Sequence, residues 1–372
     1  MKSLRWNRRL LKYLGIWPLE IYDPLFLIIF IYLFLHCSLT FANLIYYNYK
    51  NDLAEIVVNM TENVLFVMTL TKITICRMNR KSLGQLLVEI ENNFVVDDYN
   101  TLEKKFIFMK YIKLAKYYSL IAFTSMTIAV GLYYVNGMIP NIKIAIKNSS
   151  LGYTLPYKTR AIINIDNTRV YFCICLYQML IVPIVVIGYV GFDCLFTHLA
   201  IHITAQFGIL SCRVREILND CNSFRLNIKT LVLQHYKLIR QAETLEDNFN
   251  VMILQQLTGT TFHLCISGYN TLAVRITYDL YWMNVRNICH IYSFLTLFIY
   301  CFIGECLIYE STSLSNAFYC YEWYNISPIN LKMIYICMLR MKKPQQLTSG
   351  KFFVLSLATF TDVSISFYIF FF

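Results

Sequence analysis

The chain has 372 residues, of which 57% are hydrophobic and only 15% charged, with 27 phenylalanines and 29 tyrosines. A composition this apolar excludes one soluble core of this size and is typical of a multi-pass membrane protein. The formal net charge of +11 comes from basic residues in short segments between apolar stretches. It therefore favours membrane orientation over a nucleic-acid partner, which would need one basic, aromatic-laced patch.

Seven stretches are long enough to cross a lipid bilayer, because about 20 residues rising ~1.5 Å each span a hydrocarbon layer of ~30 Å. They are residues 25–46, 56–76, 118–139, 170–191, 251–274, 288–309 and 352–372. The basic, amphipathic segment before the first stretch lacks a cleavage site, so we expect that span to be retained. The sequence thus predicts one all-α membrane domain over 1–372, with seven transmembrane helices.

The fifth stretch is the weakest of the seven. Gln255, Gln256, His263 and Asn270 make it either a poor spanner or a helix that buries polar atoms against protein.

Residues 170–210 form about forty nearly unbroken apolar residues, which allow one long helix or two spans. Asp193 and Gln206 in the second half favour one helix that projects into the cytoplasm. His198 and His202 share a helix face, but without a second histidine box they predict a packed polar pair rather than a metal site. No cofactor and no enzyme activity are predicted, because phosphate loops, nucleophile elbows and paired intramembrane carboxylates are missing from the sequence.

The distribution of basic residues predicts the orientation of the spans. Segments on the side of the N-terminus carry 24 lysines and arginines, and those on the opposite side carry eight. Since cytoplasmic loops are enriched in basic residues, the N-terminus is expected inside and the C-terminus outside, the inverse of a G-protein-coupled receptor. The sequon at Asn148 then lies in the longest outside loop, where glycosylation is expected.

Polar residues recur at helical spacing on one face of the last span, namely Thr359, Asp362, Ser366 and Ile369 or Phe370. Because an ionisable residue in mid-bilayer costs about 2.5 to 3.5 kcal/mol, Asp362 is expected to face water or protein. Two interpretations stay open, a water-lined pore and a polar seam for helix packing.

Aromatic and polar residues gather toward the predicted outer halves of several spans. They form a candidate pocket for a small hydrophobic ligand, although interfacial tyrosine belts produce a similar pattern. The predicted ligand-binding residues are Phe66, Leu132, Tyr133, Asn136, Phe172, Tyr177 and Tyr292.

The C-terminal third resembles the signature region of insect odorant receptors. The matching elements are Gly304-Glu305, Ser315, Ala317, Tyr319, Trp323-Tyr324, Lys332, Arg340, Pro344, the run from Leu347 to Phe352, and Leu355-Ser356-Leu357. The start of the chain, a basic helix followed by Leu14-Gly15-Ile16-Trp17-Pro18, is similar to the family's start. The match is to the variable tuning subunits rather than to the coreceptor, and residues 364–372 depart from the family's pattern.

The resemblance implies an odorant- or pheromone-gated cation channel in the plasma membrane of olfactory sensory neurons. It further implies a heterotetramer with a shared coreceptor, a ligand pocket in the outer helix halves, a cytoplasmic helical anchor that includes 326–338, and a pore lined by the last helix. Alternatives are a metabotropic seven-helix chemoreceptor, which needs an outside N-terminus, and a gustatory-type receptor channel. A transporter is disfavoured because no internal repeat is visible.

Overall fold

The computed structural model describes residues 2–20, 22–51, 53–96, 101–146, 155–160, 168–218, 224–273, 280–320 and 328–371. Long helices dominate these residues. In chain order the elements are α1 Lys2–Tyr13, α2 Asp23–Tyr49, α3 Leu53–Met78, α4 Arg80–Val96, α5 Leu102–Ile146, α6 Thr168–Leu218, α7 Phe224–Ala273, α8 Leu280–Tyr319, α9 Pro328–Met341, β1 Thr348–Ser349, β2 Phe353–Val354 and α10 Leu357–Phe371.

Five helices in the described part of the chain are long and apolar enough to cross a membrane. They cover Asp23–Tyr49, Glu55–Met78, Leu102–Pro140, Arg169–Val214 and Ile291–Tyr319. The predicted spans 251–274 and 352–372 fall on α7, which is rich in polar residues there, and on α10, which is 15 residues long. The all-helical membrane fold is therefore present, while the seven-span count and its orientation stay predictions.

The long apolar stretch after residue 168 is one continuous helix. α6 runs for 51 residues and passes through Pro183 without a break. The prediction of a single long helix over 170–210 is confirmed by this element. Its projection into the cytoplasm stays a prediction.

The chain divides into two compact units. Unit 1 comprises residues 1–78, 119–193 and 255–296, and unit 2 comprises residues 79–118, 194–254 and 297–372. Helices α5 to α8 each contribute residues to both units.

In unit 1 the amphipathic helix α1 packs its apolar face on α6. Leu11 and Trp17 are fully buried, and the Asn7 side-chain amide donates a hydrogen bond of 3.1 Å to the carbonyl of Gly191. A Cβ at Gly191 would lie 3.0 Å from Leu11, so the absent side chain is what permits this close approach. The opposite face of α1 is basic, and Arg8 and Lys12 pair with Glu20 at the surface.

In unit 2 a short β-hairpin connects α9 to α10. Thr348 pairs with Val354 and Ser349 with Phe353, and the turn uses positive φ at Gly350 (59°) and Lys351 (65°). Two consecutive positive φ values match the right-handed twist of the strands, which is why such turns favour glycine. The predicted seventh helix therefore begins at Leu357 rather than at Phe352, because residues 348–354 form the hairpin.

The residues that carry the C-terminal resemblance hold this hairpin and the start of α10. The Gly350 amide donates to the carbonyl of Asn250 at 3.1 Å, and the Leu357 amide donates to Glu305 Oε2 at 3.2 Å. A Cβ on Gly304 would lie 2.2 Å from the Leu355 carbonyl oxygen. The motif therefore builds the joint between the hairpin and α10.

Candidate functional site

A cavity lies inside unit 1, between α3, α5, α6, α7, α8 and the segment 155–160. It has a volume of about 110 Å³. Its wall is mostly apolar, with a few polar groups, as in small-molecule sites. Five aromatic rings line it: Phe66, Tyr133, Tyr157, Tyr189 and Tyr292. The polar lining residues are Thr61, Glu62, Thr260, His263 and Ser293.

A carboxylate forms one part of the wall. Glu62 is only 6% exposed, its Oε1 accepts a hydrogen bond from the Tyr133 hydroxyl, and its Oε2 accepts one of 2.9 Å from the Lys158 amide. Carboxylates are rarely buried unless they are paired or hydrogen-bonded, and these two donors come from α5 and from segment 155–160. Glu62 thus ties two walls of the cavity to α3.

Segment 155–160 is held among the helices by hydrogen bonds to its backbone. The side chain of Gln178 accepts a hydrogen bond of 3.0 Å from the Tyr157 amide and donates one of 3.1 Å to the Tyr157 carbonyl. The side chains of Asn43 and Asn59 both donate hydrogen bonds to the Lys158 carbonyl. An extended segment has no internal ladder, so buried side chains must satisfy its polar groups. The arrangement fixes Tyr157, whose ring stacks on Tyr133 with centroids 5.7 Å apart.

The side chain of Lys158 points to a second carboxylate. Its ammonium lies 2.9 Å from Glu55. Burial lowers the pKa of Lys158, but the hydrogen bond to Glu55 and the charges of Glu55 and Glu62 together outweigh burial and raise the pKa above its ordinary value. The side chain of Lys158, next to the cavity, is therefore protonated at neutral pH.

A buried ion pair adjoins the aromatic end of the cavity. Lys72 Nζ lies 2.5 Å from Asp193 Oδ1, and the two side chains are 0% and 1% exposed. Lys72 also donates to Gln256 Oε1 at 2.8 Å, and the Tyr292 hydroxyl donates to Asp193 Oδ2 at 2.8 Å. The Lys72 ammonium sits 3.8 Å from the ring centroid of Tyr189. Helices α3, α6, α7 and α8 thus meet at one polar cluster that touches two cavity-lining tyrosines.

This cluster concerns two polar residues of the fifth predicted span. Gln256 is fully buried against Lys72, and the Gln255 amide donates to the carbonyl of Met68 at 3.0 Å. These two residues therefore contact protein, while α7 is not among the described helices that are apolar enough to cross a membrane. Whether this segment spans the membrane stays a prediction. Lys72 and Asp193 are 121 positions apart, so helical spacing alone carries no sign of their pairing.

The predicted ligand-binding residues divide between the cavity and other places. Phe66, Tyr133 and Tyr292 line the cavity, whereas Leu132 and Asn136 are half-buried and are not part of its lining. Tyr177 packs edge-on against Tyr32 instead, with centroids 5.0 Å apart.

Phe172 lies on the outer face of α6 and is 58% exposed. The inward face of this part of the helix carries Tyr171, Cys175 and Gln178, at the spacing of one helical stripe, and all three are buried. Phe172 follows directly after the first of them and therefore points away from the cavity.

Among the cavity-lining residues that the sequence analysis did not select as ligand-binding are Glu62, Tyr189 and Tyr157. Glu62 was visible as an ionisable residue within a span, which marks candidate functional positions. Tyr189 lies one turn before Asp193 on α6, and its role emerges only from the Lys72 contact. Tyr157 lies between spans, where no periodicity assigns it to a core.

The predicted pore-lining face is partly described. At the start of α10 the Thr359 amide donates to Ser356 Oγ at 3.2 Å, so Ser356 caps the helix, and Thr359 Oγ1 donates to the Val354 carbonyl at 2.8 Å. Asp362 is exposed one turn later. The side chains of Ser366 and Ile369, and the predicted glycosylation site Asn148, lie outside the described residues.

The histidine pair on α6 shows no metal arrangement. His198 Nδ1 lies 2.7 Å from the Cys194 carbonyl, and the ring of His202 packs edge-on against Phe108 with centroids 6.4 Å apart. In the searched, described part of the chain, groups of three or more metal-binding side chains are absent.

Comparison with known proteins identifies the family. The family model described as 7tm Odorant receptor matches residues 52–368. The chain is 24% identical to odorant receptor 94a of Drosophila melanogaster over 216 residues, which are 56% of this chain and 54% of that receptor. It is 29% identical to the odorant receptor coreceptor of Harpegnathos saltator over 139 residues, or 37% of this chain and 29% of the coreceptor. The match therefore spans about half the length of the Drosophila receptor and less than a third of the coreceptor.

The fold is similar to a solved structure along its whole length. The insect olfactory receptor OR5 from Machilis hrabei superposes with a TM-score of 0.78, covering 100% of this chain and 96% of that one at 14% identity. The same receptor in complex with eugenol superposes with a TM-score of 0.76 at 15% identity. Since the family model covers most of the chain, this protein belongs to the insect odorant receptor family, whose members are receptors rather than enzymes.

Proposed function

We propose that this chain is a tuning subunit of an odorant-gated cation channel, and that the unit 1 cavity binds a small, mostly hydrophobic ligand. The observation that carries this proposal is the mostly apolar cavity with five aromatic rings inside an odorant receptor fold. A ligand opens a channel only by binding the open state more tightly than the closed one. The buried Lys72–Asp193 cluster, which touches Tyr189 and Tyr292, would transmit such a difference to four helices.

Two comparisons support the partner and the ligand class. The coreceptor relatives are consistent with a heteromer that this chain forms with an insect odorant receptor coreceptor, and the related OR5 was solved in complex with eugenol, a small molecule. The proposed site is the plasma membrane of olfactory sensory neurons. The proposed pore wall is the face of α10 with Thr359, Asp362, Ser366 and Ile369.

Electrophysiology tests the cavity as the agonist site. The chain is co-expressed with an insect coreceptor, and whole-cell currents are recorded for a panel of volatile compounds. Gly259 and Met68 both line the cavity, and a Cβ on Gly259 would lie 2.2 Å from Met68 Sδ, so in Gly259→Ala the methionine must move and the cavity changes shape. We expect this variant to raise the half-maximal concentration of the bulkiest agonists by about tenfold, the usual effect of one methylene in a pocket.

Two residues that do not line the cavity provide matched controls. A Cβ on Gly131 meets open space within 4 Å, and Phe172 is on the exposed face of α6. Gly131→Ala and Phe172→Ala should leave the dose–response curves unchanged. Equal shifts in all three variants, or unchanged curves in Gly259→Ala, would remove the cavity from the account.

A metabotropic mechanism makes the opposite prediction for GTP dependence. Currents of a channel subunit persist when GTP turnover inside the cell is blocked, whereas currents that depend on a G protein disappear.

A further inference from the structure

We propose that the unit 1 cavity recognises a protonated amine, with the Glu62 carboxylate as counter-charge and the surrounding tyrosine rings as a cage. The inference rests on the proposed function, because it names the ligand class of the same cavity.

The carboxylate has free acceptor capacity at the cavity. Each Glu62 oxygen accepts one hydrogen bond, from the Tyr133 hydroxyl and from the Lys158 amide. An ionised carboxylate offers about four lone-pair sites. Since Glu62 also lines the cavity, a ligand N–H reaches an open lone pair of the carboxyl group without breaking either bond.

The cation beside Glu62 is paired with another residue. Among the described residues, the charged groups that act on the Glu62 carboxyl are Lys158, of opposite sign, and Glu55, of like sign. The Lys158 ammonium pairs with Glu55 at 2.9 Å, and Lys158 contacts Glu62 through its backbone amide instead. A buried carboxylate that lacks an ion pair of its own is costly, and a cationic ligand would supply that pair.

The rest of the wall suits an ammonium group. Tyr133 and Tyr157 stack at 5.7 Å, and Phe66 meets Tyr157 edge-on at 5.4 Å. Tyr189 and Tyr292 form a second aromatic pair at 5.8 Å, but the Lys72 ammonium already lies 3.8 Å from the centroid of Tyr189. The ligand ammonium is therefore assigned to the Glu62 end of the cavity. Electron-rich rings around a cavity bind ammonium groups by cation–π attraction, which is stronger when water is excluded.

The volume limits the size of the amine. The cavity measures about 110 Å³, somewhat less than an engineered apolar cavity of about 150 Å³ that binds benzene. A single ring is therefore the upper limit for the ligand, and the lining side chains must shift slightly to admit a substituent on it. Benzylamine is an amine with a single ring and, like the lysine side chain, is protonated at neutral pH. Benzyl alcohol has the same shape without the charge.

The test compares these two probes on the receptor co-expressed with a coreceptor. We expect a half-maximal concentration for benzylamine about tenfold below that for benzyl alcohol, since the amine gains a charge-assisted hydrogen bond and cation–π contacts. Glu62→Gln should bring this ratio close to one, because it removes the negative charge that only the amine uses. Glu20→Gln removes a carboxylate at the surface of unit 1 and should leave the ratio unchanged.

Three results would overturn the inference. The first is a wild-type receptor that answers neutral compounds and does not prefer benzylamine, which leaves the proposed channel function standing. The second is a Glu62→Gln variant that weakens both probes equally, because Glu62 then only holds segment 155–160 in place. The third is a surface-expressed chain that is silent to every compound and whose purified form gains no thermal stability from benzylamine, which counts against the channel function as well.

The thermal measurement also covers the case in which Glu62→Gln does not reach the membrane. Benzylamine at a concentration that saturates the site is expected to raise the melting temperature of the purified wild-type receptor more than benzyl alcohol does. An equal or smaller rise would contradict the amine class without any variant.

Discussion

The buried ion pair between Lys72 and Asp193 makes the sharpest prediction about stability. Lys72→Met leaves Asp193 charged with 1% of its side chain exposed, and Asp193→Asn leaves an uncompensated ammonium that is fully buried. Either single change should therefore destabilise unit 1. Replacing both residues together, as Lys72→Met with Asp193→Asn, removes both charges.

The separation of the charges sets the magnitude. At 2.5 Å and an effective dielectric constant of about 20, the attraction between unit charges is roughly 7 kcal/mol. Relaxation of the charge that remains reduces the cost of losing one partner to about 3–5 kcal/mol. The double variant avoids this cost and loses mainly the hydrogen bonds of Gln256 and Tyr292 to the pair, about 1–3 kcal/mol each.

Thermal unfolding of the detergent-purified receptor measures the effect. At about 2 °C per kcal/mol for a large chain, we expect each single variant to melt roughly 6–10 °C below wild type. The decrease in melting temperature of the double variant should be much smaller than the sum of the decreases of the two single variants. Such non-additivity is the signature of direct coupling. Additive losses, or single variants that melt with wild type, would refute the description of this pair as a buried salt bridge.

Three further predictions concern backbone space and acidity. Gly304→Ala should lower the melting temperature, because its Cβ would lie 2.2 Å from a backbone carbonyl oxygen. Gly131→Ala meets open space and should be neutral or stabilising by up to ~1 kcal/mol. Equal melting temperatures of the two variants would contradict this reasoning. Gly350→Ala should destabilise the hairpin and speed limited proteolysis, while Lys351→Gly, at φ 65°, should be tolerated. Faster proteolysis of Lys351→Gly than of Gly350→Ala would contradict this turn geometry. Burial lowers the pKa of His235 to about 4. Between pH ~6.5 and pH ~4 only the unfolded state therefore binds the proton, and stability should fall by up to ~1.4 kcal/mol for each unit that the pH is lowered in this window. His235→Gln should reduce the dependence of stability on pH. An unchanged dependence would show that other groups cause the acid sensitivity.

Much of the helical architecture is predictable from hydrophobic length and periodicity. The apolar stretches from residue 25 to 309 lie within helices wherever the structure describes them. The polar second half of 170–210 correctly indicated one long helix. The start of α10 was missed because residues 352–354 are as apolar as a helix interior. The cue was present in Ser349-Gly350-Lys351, whose turn requires two positive φ values.

The cavity was predictable only in part. Aromatic residues on spans indicated Phe66, Tyr133 and Tyr292, which line it, but the same rule selected Phe172, whose position one residue from a buried stripe turns it outward. The contacts of Tyr157 depend on long-range pairing, since its segment is held by Gln178 from another helix. Pairings of this kind leave no local period in a sequence.

The most direct test of the central claim is whole-cell current from this chain and an insect coreceptor, recorded during odorant pulses with GTP turnover blocked. The account predicts odorant-evoked cation currents that coreceptor-only cells lack and that Gly259→Ala weakens for bulky agonists. Currents that vanish with the block, or that ignore the Gly259 change while surface expression is normal, would contradict it.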